Sequence, residues 1–267
     1  IYQCNLALEE LPLSPVAENN PELIERLMAE VKFIRGYCYF ELAKNFREIP
    51  VLDRIYDAGE LLQFPLSGQA AAFDRIIQDL SDAESVLPLT LEAGDVGRIN
   101  KGIARAYLSK AYLYTEDWSM AKDYADKVTM ESDYSLEPVY GEIWDIHNRN
   151  GSESIFEIQT SYDPLYAVGN ALPILTGGRQ DAGWYYAAPT SYLEKLFLDQ
   201  GDSIRFRASM ITAHNVGING ADDVGLANVY DTDGQTIAVV DHPVSKIRDS
   251  KSMRVNRKFF ILPEDRI

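Results

Sequence analysis

The chain has 267 residues, of which 46% are hydrophobic and 25% charged, a balance typical of a folded globular protein and not of a disordered one. A chain of this length buries a sizeable core without metal or disulfide staples. Its 25 basic and 41 acidic residues give a formal net charge of −16, which excludes nucleic acid and a direct polybasic membrane contact as expected partners, because both require clustered Lys and Arg.

The first long elements are two predicted helices. Residues Glu22–Phe46 carry apolar side chains at helical spacing, and Pro21 after Asn20 is typical of a capped first turn. A second helix is predicted over Phe73–Leu87 for the same reason. The stretch Asp53–Gly68 between them lacks this periodicity, so we predict a loop there.

A pair of closely packed helices is predicted next. Asn100 is a suitable cap for a helix over Lys101–Tyr114, and Asp117 for a helix over Ser119–Met130. Small side chains at helical spacing let two helix axes approach each other, which indicates an antiparallel pair. The small residues are Ala104, Ala106, Ser109, Ala111, Ala121 and Ala125.

The stretch Asn100–Asp133 also fits the ~34-residue period of a tetratricopeptide repeat. Ser109 and Ala121 occupy the small positions where the two helices cross, and Tyr112 and Trp118 are predicted to fill the flanking gaps. Trp118 is therefore predicted to be a core residue.

A looser copy of this repeat begins earlier, at Arg35–Tyr39. Gly36 takes its small position, and its partner would be the helix over Phe73–Leu87, reached through a long insertion. Trp144, which follows the repeat region, is also predicted to lie in the core.

The later part of the chain is predicted to be rich in loops. Ser154–Gln159 alternates apolar and polar residues, which predicts a short strand, and a short helix is predicted over Tyr192–Leu198 and a β-like run over Thr236–Val240. The predicted fold is mainly α, with tetratricopeptide-like hairpins packed as an α-α superhelix and a loop-rich, minor-β region after about residue 150.

Several segments together resemble the SusD/RagB family. The run Ala29–Leu42 (AEVKFIRGYCYFEL) is similar to the family's AEAKFLRAYYYFEL helix, and Asn5 fits the helix that precedes it. The resemblance covers Ile1–Gln159 and continues more weakly over Trp184–Arg207. Other matching segments are Ile77–Pro88, Gly97–Tyr114 and Glu153–Gln159.

The resemblance implies a surface-exposed lipoprotein of the outer membrane. Such proteins bind a glycan, or a peptide in RagB-like members, and deliver it to a SusC-like TonB-dependent transporter. Residues 1–160 would form the helical scaffold and residues 161–267 the loop-rich, ligand-binding part of the same domain. The chain is interpreted as a fragment without its signal and lipid-anchor segment, because it starts at Ile1 and stops at Ile267 in the middle of apparent structure. Cys4 is not interpreted as a lipidated cysteine, because Gln3 precedes it in place of a small residue and only three residues lie upstream.

A glycan site needs exposed aromatic rings for stacking and polar side chains for hydrogen bonds. The Gly-containing segment Arg179–Tyr186 has this composition and lies where loops, which commonly carry function, are predicted. Three adjacent aromatic residues cannot all face one way in a strand, so at least one of them is expected in the core. The candidates are Trp184, Tyr185, Tyr186, Arg179 and Asp181, with Tyr162 and Tyr166 as further possibilities.

The sequence gives little support for an enzymatic function. The histidines His147, His214 and His242 fall in no recognisable motif, and no nucleophile elbow, P-loop or zinc spacing occurs. Residues Asp222–Gly234 contain acidic turns but not the full spacing of a calcium loop. We therefore predict a binding protein without cofactor or metal. A tetratricopeptide-type docking scaffold remains an alternative, as does a glycoside hydrolase with a carboxylate pair.

Overall fold

The computed structural model describes residues 1–145, 147–159, 186, 188–212, 226–230, 236–241 and 254–256. The chain divides into two compact units, each described by itself below. Unit 1 consists of Ile1–Ser135 and Ser154–Ile158, and unit 2 of Leu136–Glu153 and Gln159–Ile267. The described part is mainly helical, as the sequence predicted.

Unit 1 is built from helices and one very short antiparallel ladder. Two 3₁₀ turns, Leu11–Leu13 and Ala93–Asp95, connect some of the helices. The helices are α1 (Tyr2–Glu10), α2 (Pro15–Asn19), α3 (Pro21–Asn45), α4 (Ala58–Leu62), α5 (Gln69–Val86), α6 (Lys101–Tyr114) and α7 (Trp118–Glu131), and the ladder joins β1 (Glu48–Ile49) to β2 (Ser67–Gly68).

The predicted starts of the long helices are confirmed by side-chain caps. Asn20, Asn100 and Asp117 each accept a hydrogen bond from the backbone N–H three residues further on, which satisfies a donor that the first helical turn leaves without a partner. The observed bounds of α3, α6 and α7 lie within one residue of the predicted ones. Helix α5, which has no side-chain cap, begins at Gln69, four residues before the predicted start at Phe73.

The prediction of a loop over Asp53–Gly68 was wrong in part, because α4 and β2 lie within it. Helix α4 begins with a reciprocal capping box. The Asp57 side chain accepts from the backbone N–H of Glu60, and the Glu60 side chain accepts from that of Asp57. This local pairing needs no long apolar periodicity, so periodicity did not reveal it.

Both predicted tetratricopeptide-like hairpins are confirmed. Helix α3 packs on α5, and a Cβ added at Gly36 would lie only 3.3 Å from Leu80, so the small residue permits the close approach. Helix α6 packs on α7, where the Ser109 hydroxyl donates to the Ala121 carbonyl over 2.7 Å. Helix α5 also packs on α6, which joins the two hairpins into one core.

The assignment of Trp118 to the core was wrong, because its side chain is 62% exposed. Trp118 is the first residue of α7, and its side chain lines an open surface groove together with Leu113, so no other described element covers the ring there. Trp144 is only partly buried.

The predicted strand over Ser154–Gln159 was also wrong. Two consecutive residues, Ile155 and Phe156, pack against the unit 1 core, whereas a strand would send them to opposite faces. The Tyr134 hydroxyl reaches the Ile155 carbonyl over 3.4 Å and so holds this extended segment on the helices.

Unit 2 combines short helices with two-stranded ladders. Helix α8 (Ser191–Asp199) and strand β5 (Thr236–Asp241) confirm the helix and the β-like run predicted there. Thr190 caps α8. The other elements are a 3₁₀ turn (Tyr140–Trp144), α9 (Ser203–Ser209), β3 (Met210–Thr212) paired antiparallel with β6 (Arg254–Asn256), and β4 (Leu226–Tyr230) paired antiparallel with β5.

A buried polar network lies at the centre of unit 1. The Arg35 guanidinium donates to both carboxylate oxygens of Asp79, over 2.8 and 2.7 Å, with only 4% and 2% of the two side chains exposed. A third Arg35 nitrogen donates to the side-chain oxygen of Asn5 over 2.8 Å. The Asn5 amide in turn donates to the carbonyls of Leu52 and Arg54. The network thus ties α1, α3, α5 and the segment after β1 together.

Replacing Asp79 by Ala should destabilise unit 1 strongly, because the Arg35 charge would stay buried without its partner. We expect a loss of about 3–5 kcal/mol in the free energy of unfolding, measured by urea denaturation. The matched control is Asp82→Ala, also on α5, which removes a partly exposed pair with Lys32 and should cost at most about 1 kcal/mol. Equal losses for both variants would contradict the importance of the buried pair.

Candidate functional site

Most of the aromatic site predicted from the sequence falls outside the residues that the structure describes. Tyr186 is the exception, and 55% of its side chain is exposed. A ring with this exposure can offer a face to a ligand. The roles proposed for the other candidates stay predictions, and these residues are Trp184, Tyr185, Arg179, Asp181, Tyr162 and Tyr166.

A second exposed aromatic ring lies six residues further along the chain. Tyr192, in the first turn of α8, is 68% exposed, and the capping hydroxyl of Thr190 fixes the start of this helix. Apolar spacing predicts Tyr192 only as a member of a short helix and says nothing of its exposure. The sequence therefore carried no signal that would have identified Tyr192 as a site residue.

The rings of Tyr186 and Tyr192 have the chemistry that carbohydrate recognition uses. A tyrosine presents a flat apolar face to the C–H side of a sugar ring, and its hydroxyl can donate to or accept from sugar hydroxyls. The two residues are six positions apart in the sequence, so one short segment of unit 2 carries two exposed tyrosines.

The aromatic residues of unit 1 are arranged differently. Tyr37, Tyr107 and Phe156 meet edge to face, with ring centroids 5.5 to 6.3 Å apart, and Phe33 contacts both Tyr107 and Phe156. Burial raises the pKa of Tyr107 to about 12, with the nearby Tyr37 and Glu41 adding to the shift. These rings are therefore core packing and not a stacking platform.

The described residues contain no cluster of metal-binding side chains. Within them, no three His, Cys, Asp or Glu side chains are placed to hold a metal ion. His147 lies on the surface of unit 2, and His214 and His242 fall outside the described residues. Among the helices that the structure describes, none combines the length and the apolar character of a membrane span.

Comparison with known proteins agrees with this architecture. Residues 1–113 match a family model, SusD-like_3, described as "Starch-binding associating with outer membrane". A SusD-like protein, P25, of Formosa agariphila is 22% identical over 163 residues, which are 61% of this chain and 31% of that protein.

Solved structures are similar over most of the chain. A laminarin-binding SusD-like protein superimposes with a TM-score of 0.79 at 24% identity, over 99% of this chain and 57% of that one. A structure with a xylogluco-oligosaccharide gives a TM-score of 0.65 at 19% identity, over 86% of this chain and 48% of that one. The chain therefore spans about half the length of these solved relatives.

These matches define a helical scaffold of the tetratricopeptide-like type that SusD-like proteins share. The comparisons therefore support the SusD/RagB family for this chain.

The raised pKa of Tyr107 makes unit 1 sensitive to alkaline pH. The folded state holds this proton up to about pH 12, whereas the ordinary tyrosine pKa is 10.0. The unfolded chain therefore binds fewer protons between these values, so the free energy of unfolding falls as the pH rises through this window.

Tyr107→Phe should reduce that fall, because phenylalanine has no proton to lose. The measurement is urea unfolding at a series of pH values from 8 upwards to about 12. Tyr2→Phe is the control, because Tyr2 is 55% exposed. A fall that is just as steep in Tyr107→Phe as in the parent chain would contradict the assignment.

Proposed function

We propose that this chain is part of a surface glycan-binding protein of a nutrient-uptake system. The match of residues 1–113 to the SusD-like_3 family model carries the proposal, since that model is described as starch-binding. Two solved relatives are named for laminarin binding and for a xylogluco-oligosaccharide, which makes oligosaccharides the first ligands to test.

The exposed tyrosines of unit 2 support this function. Tyr186 and Tyr192 are more than half exposed, as sugar stacking requires, and Tyr186 ends the aromatic segment that contains Trp184 and Tyr185. The formal net charge of −16 disfavours sulfated or uronic-acid-rich polysaccharides through like-charge repulsion. A neutral oligosaccharide is therefore the proposed ligand class.

Trp184→Ala should weaken binding of such an oligosaccharide by at least about tenfold, because loss of a stacked ring removes more than about 1.4 kcal/mol. The measurement is titration calorimetry with laminarin and xyloglucan oligosaccharides. Trp118→Ala is the matched control, since this exposed tryptophan lies in unit 1. Equal affinities of the parent and Trp184→Ala would remove Trp184 from the proposed site.

The same panel separates the alternatives. Binding of peptides in place of glycans would indicate a RagB-like peptide-uptake protein. Release of reducing sugar from a bound glycan would indicate a glycoside hydrolase. Binding of neither class would leave a tetratricopeptide-type docking scaffold.

We further propose that the protein is an outer-membrane lipoprotein that delivers its ligand to a SusC-like TonB-dependent transporter. The family description, which names association with the outer membrane, supports this location. We expect an affinity tag at Ile267 to recover the transporter from detergent-solubilised outer membranes, identified by mass spectrometry. Recovery of the tagged protein without a transporter would contradict the partnership.

A further inference from the structure

One loop of unit 2 contains the dipeptide Asn150–Gly151. The backbone of Asn150 is in the left-handed region, with a φ of 53°, and the residue is exposed. Asparagine is one of the few residues other than glycine that adopt this conformation readily. Asn150 therefore suits the turn that the loop makes here, at a place that water reaches freely.

Crowding requires glycine at the next position. A Cβ added to Gly151 would lie 2.7 Å from Oε1 of Glu137 and 2.8 Å from Oδ1 of Asn148. Both side chains are held in place. Oε1 of Glu137 accepts from the N–H and the hydroxyl of Ser152 over 2.8 and 2.9 Å, and the Asn148 amide donates to a backbone carbonyl over 3.1 Å. A larger residue after Asn150 would disrupt these hydrogen bonds.

Asparagine followed by glycine is prone to deamidation, because no Cβ shields the glycine nitrogen. After the Gly151 N–H has lost its proton to hydroxide, its nitrogen attacks Cγ of Asn150. The new C–N bond forms, the bond between Cγ and Nδ2 breaks, and Nδ2 leaves as ammonia with a proton from water. Water then opens the resulting succinimide, either at the Cγ carbonyl to give aspartate or at the backbone carbonyl of Asn150 to give isoaspartate.

Two hydrogen bonds restrain the amide of Asn150. Its Oδ1 accepts from Nε2 of Gln159 over 2.9 Å, and its Nδ2 donates to Oε1 of Gln159 over 3.3 Å. A side chain held at both amide atoms is less free to rotate Cγ onto the Gly151 nitrogen. Both residues are exposed, and hydrogen bonds exchanged with water contribute only modestly. The pair should therefore slow the reaction without preventing it.

We propose that Asn150 is a site of spontaneous deamidation and that its hydrogen-bonded pair with Gln159 sets the rate. The turn favours asparagine and the crowding requires glycine, so the reactive dipeptide follows from the packing of the loop. The reaction needs only water, and the proposal does not depend on glycan binding.

Conversion would change the loop in two ways. Aspartate or isoaspartate replaces a neutral amide by a negative charge and removes the N–H that binds Oε1 of Gln159. Isoaspartate also lengthens the backbone before Gly151 by a methylene group, which displaces Ser152 relative to Glu137. We expect the hydrogen bonds from Ser152 to Glu137 to weaken, and the Ser152 amide to exchange its hydrogen faster in the converted protein.

The test incubates the 267-residue chain in mildly alkaline buffer beside a synthetic peptide of residues 149–157, which lacks Gln159. Tryptic mass spectrometry follows the mass increase from amide to acid, and electron-transfer fragmentation distinguishes isoaspartate from aspartate. We expect conversion of Asn150 in both samples, severalfold slower in the folded chain. Asn148 in the folded chain is the internal control and should stay unchanged, because Arg149 and not glycine follows it.

Two variants test the role of the amide pair. Gln159→Ala removes both hydrogen bonds and should speed the conversion of Asn150 severalfold. Gln78→Ala is the matched control, because it removes an exposed glutamine of unit 1 that donates to Asp82, and it should leave the rate unchanged.

An intact Asn150 in the folded chain after the peptide has converted fully would overturn the proposed site. Equal rates in the parent chain and Gln159→Ala would overturn the role of the pair. Neither measurement contains a glycan, so a failure here leaves the proposed function as it stands.

Discussion

The buried pair of Arg35 and Asp79 constrains the rest of unit 1. Two charges removed from water are costly unless they are paired and hydrogen-bonded, and here the guanidinium is bound on three nitrogens. This pairing requires α3 and α5 to align so that both Asp79 oxygens face Arg35. It also requires α1 to bring Asn5 to the third guanidinium nitrogen. The polar network therefore sets the register of helices whose apolar faces would tolerate sliding. Gly36, one residue from Arg35, permits the required closeness.

Local chemistry explains which elements could be predicted from the sequence. Side-chain caps act within one helical turn, and the predicted caps Asn20, Asn100 and Asp117 were confirmed. The crossing of α6 and α7 at the small residues Ser109 and Ala121 was confirmed as well. Trp118 and the segment Ser154–Gln159 were misassigned because their positions depend on which neighbours pack against them. The sequence around a tryptophan beside a helix crossing is the same whether or not another helix covers its ring. Alternation of apolar and polar residues over six positions does not ensure that a partner strand is present.

The candidate site could be predicted only in part for the same reason, since the sequence does not reveal what surrounds a side chain. The aromatic composition of one segment predicted Trp184, Tyr185 and Tyr186 as site residues. The exposure of Tyr192 is seen only in the structure. An exposed and a buried tyrosine have the same sequence signature. Tyr107 and Tyr192 differ in what surrounds the ring, and this difference separates core packing from a surface that can stack on a sugar.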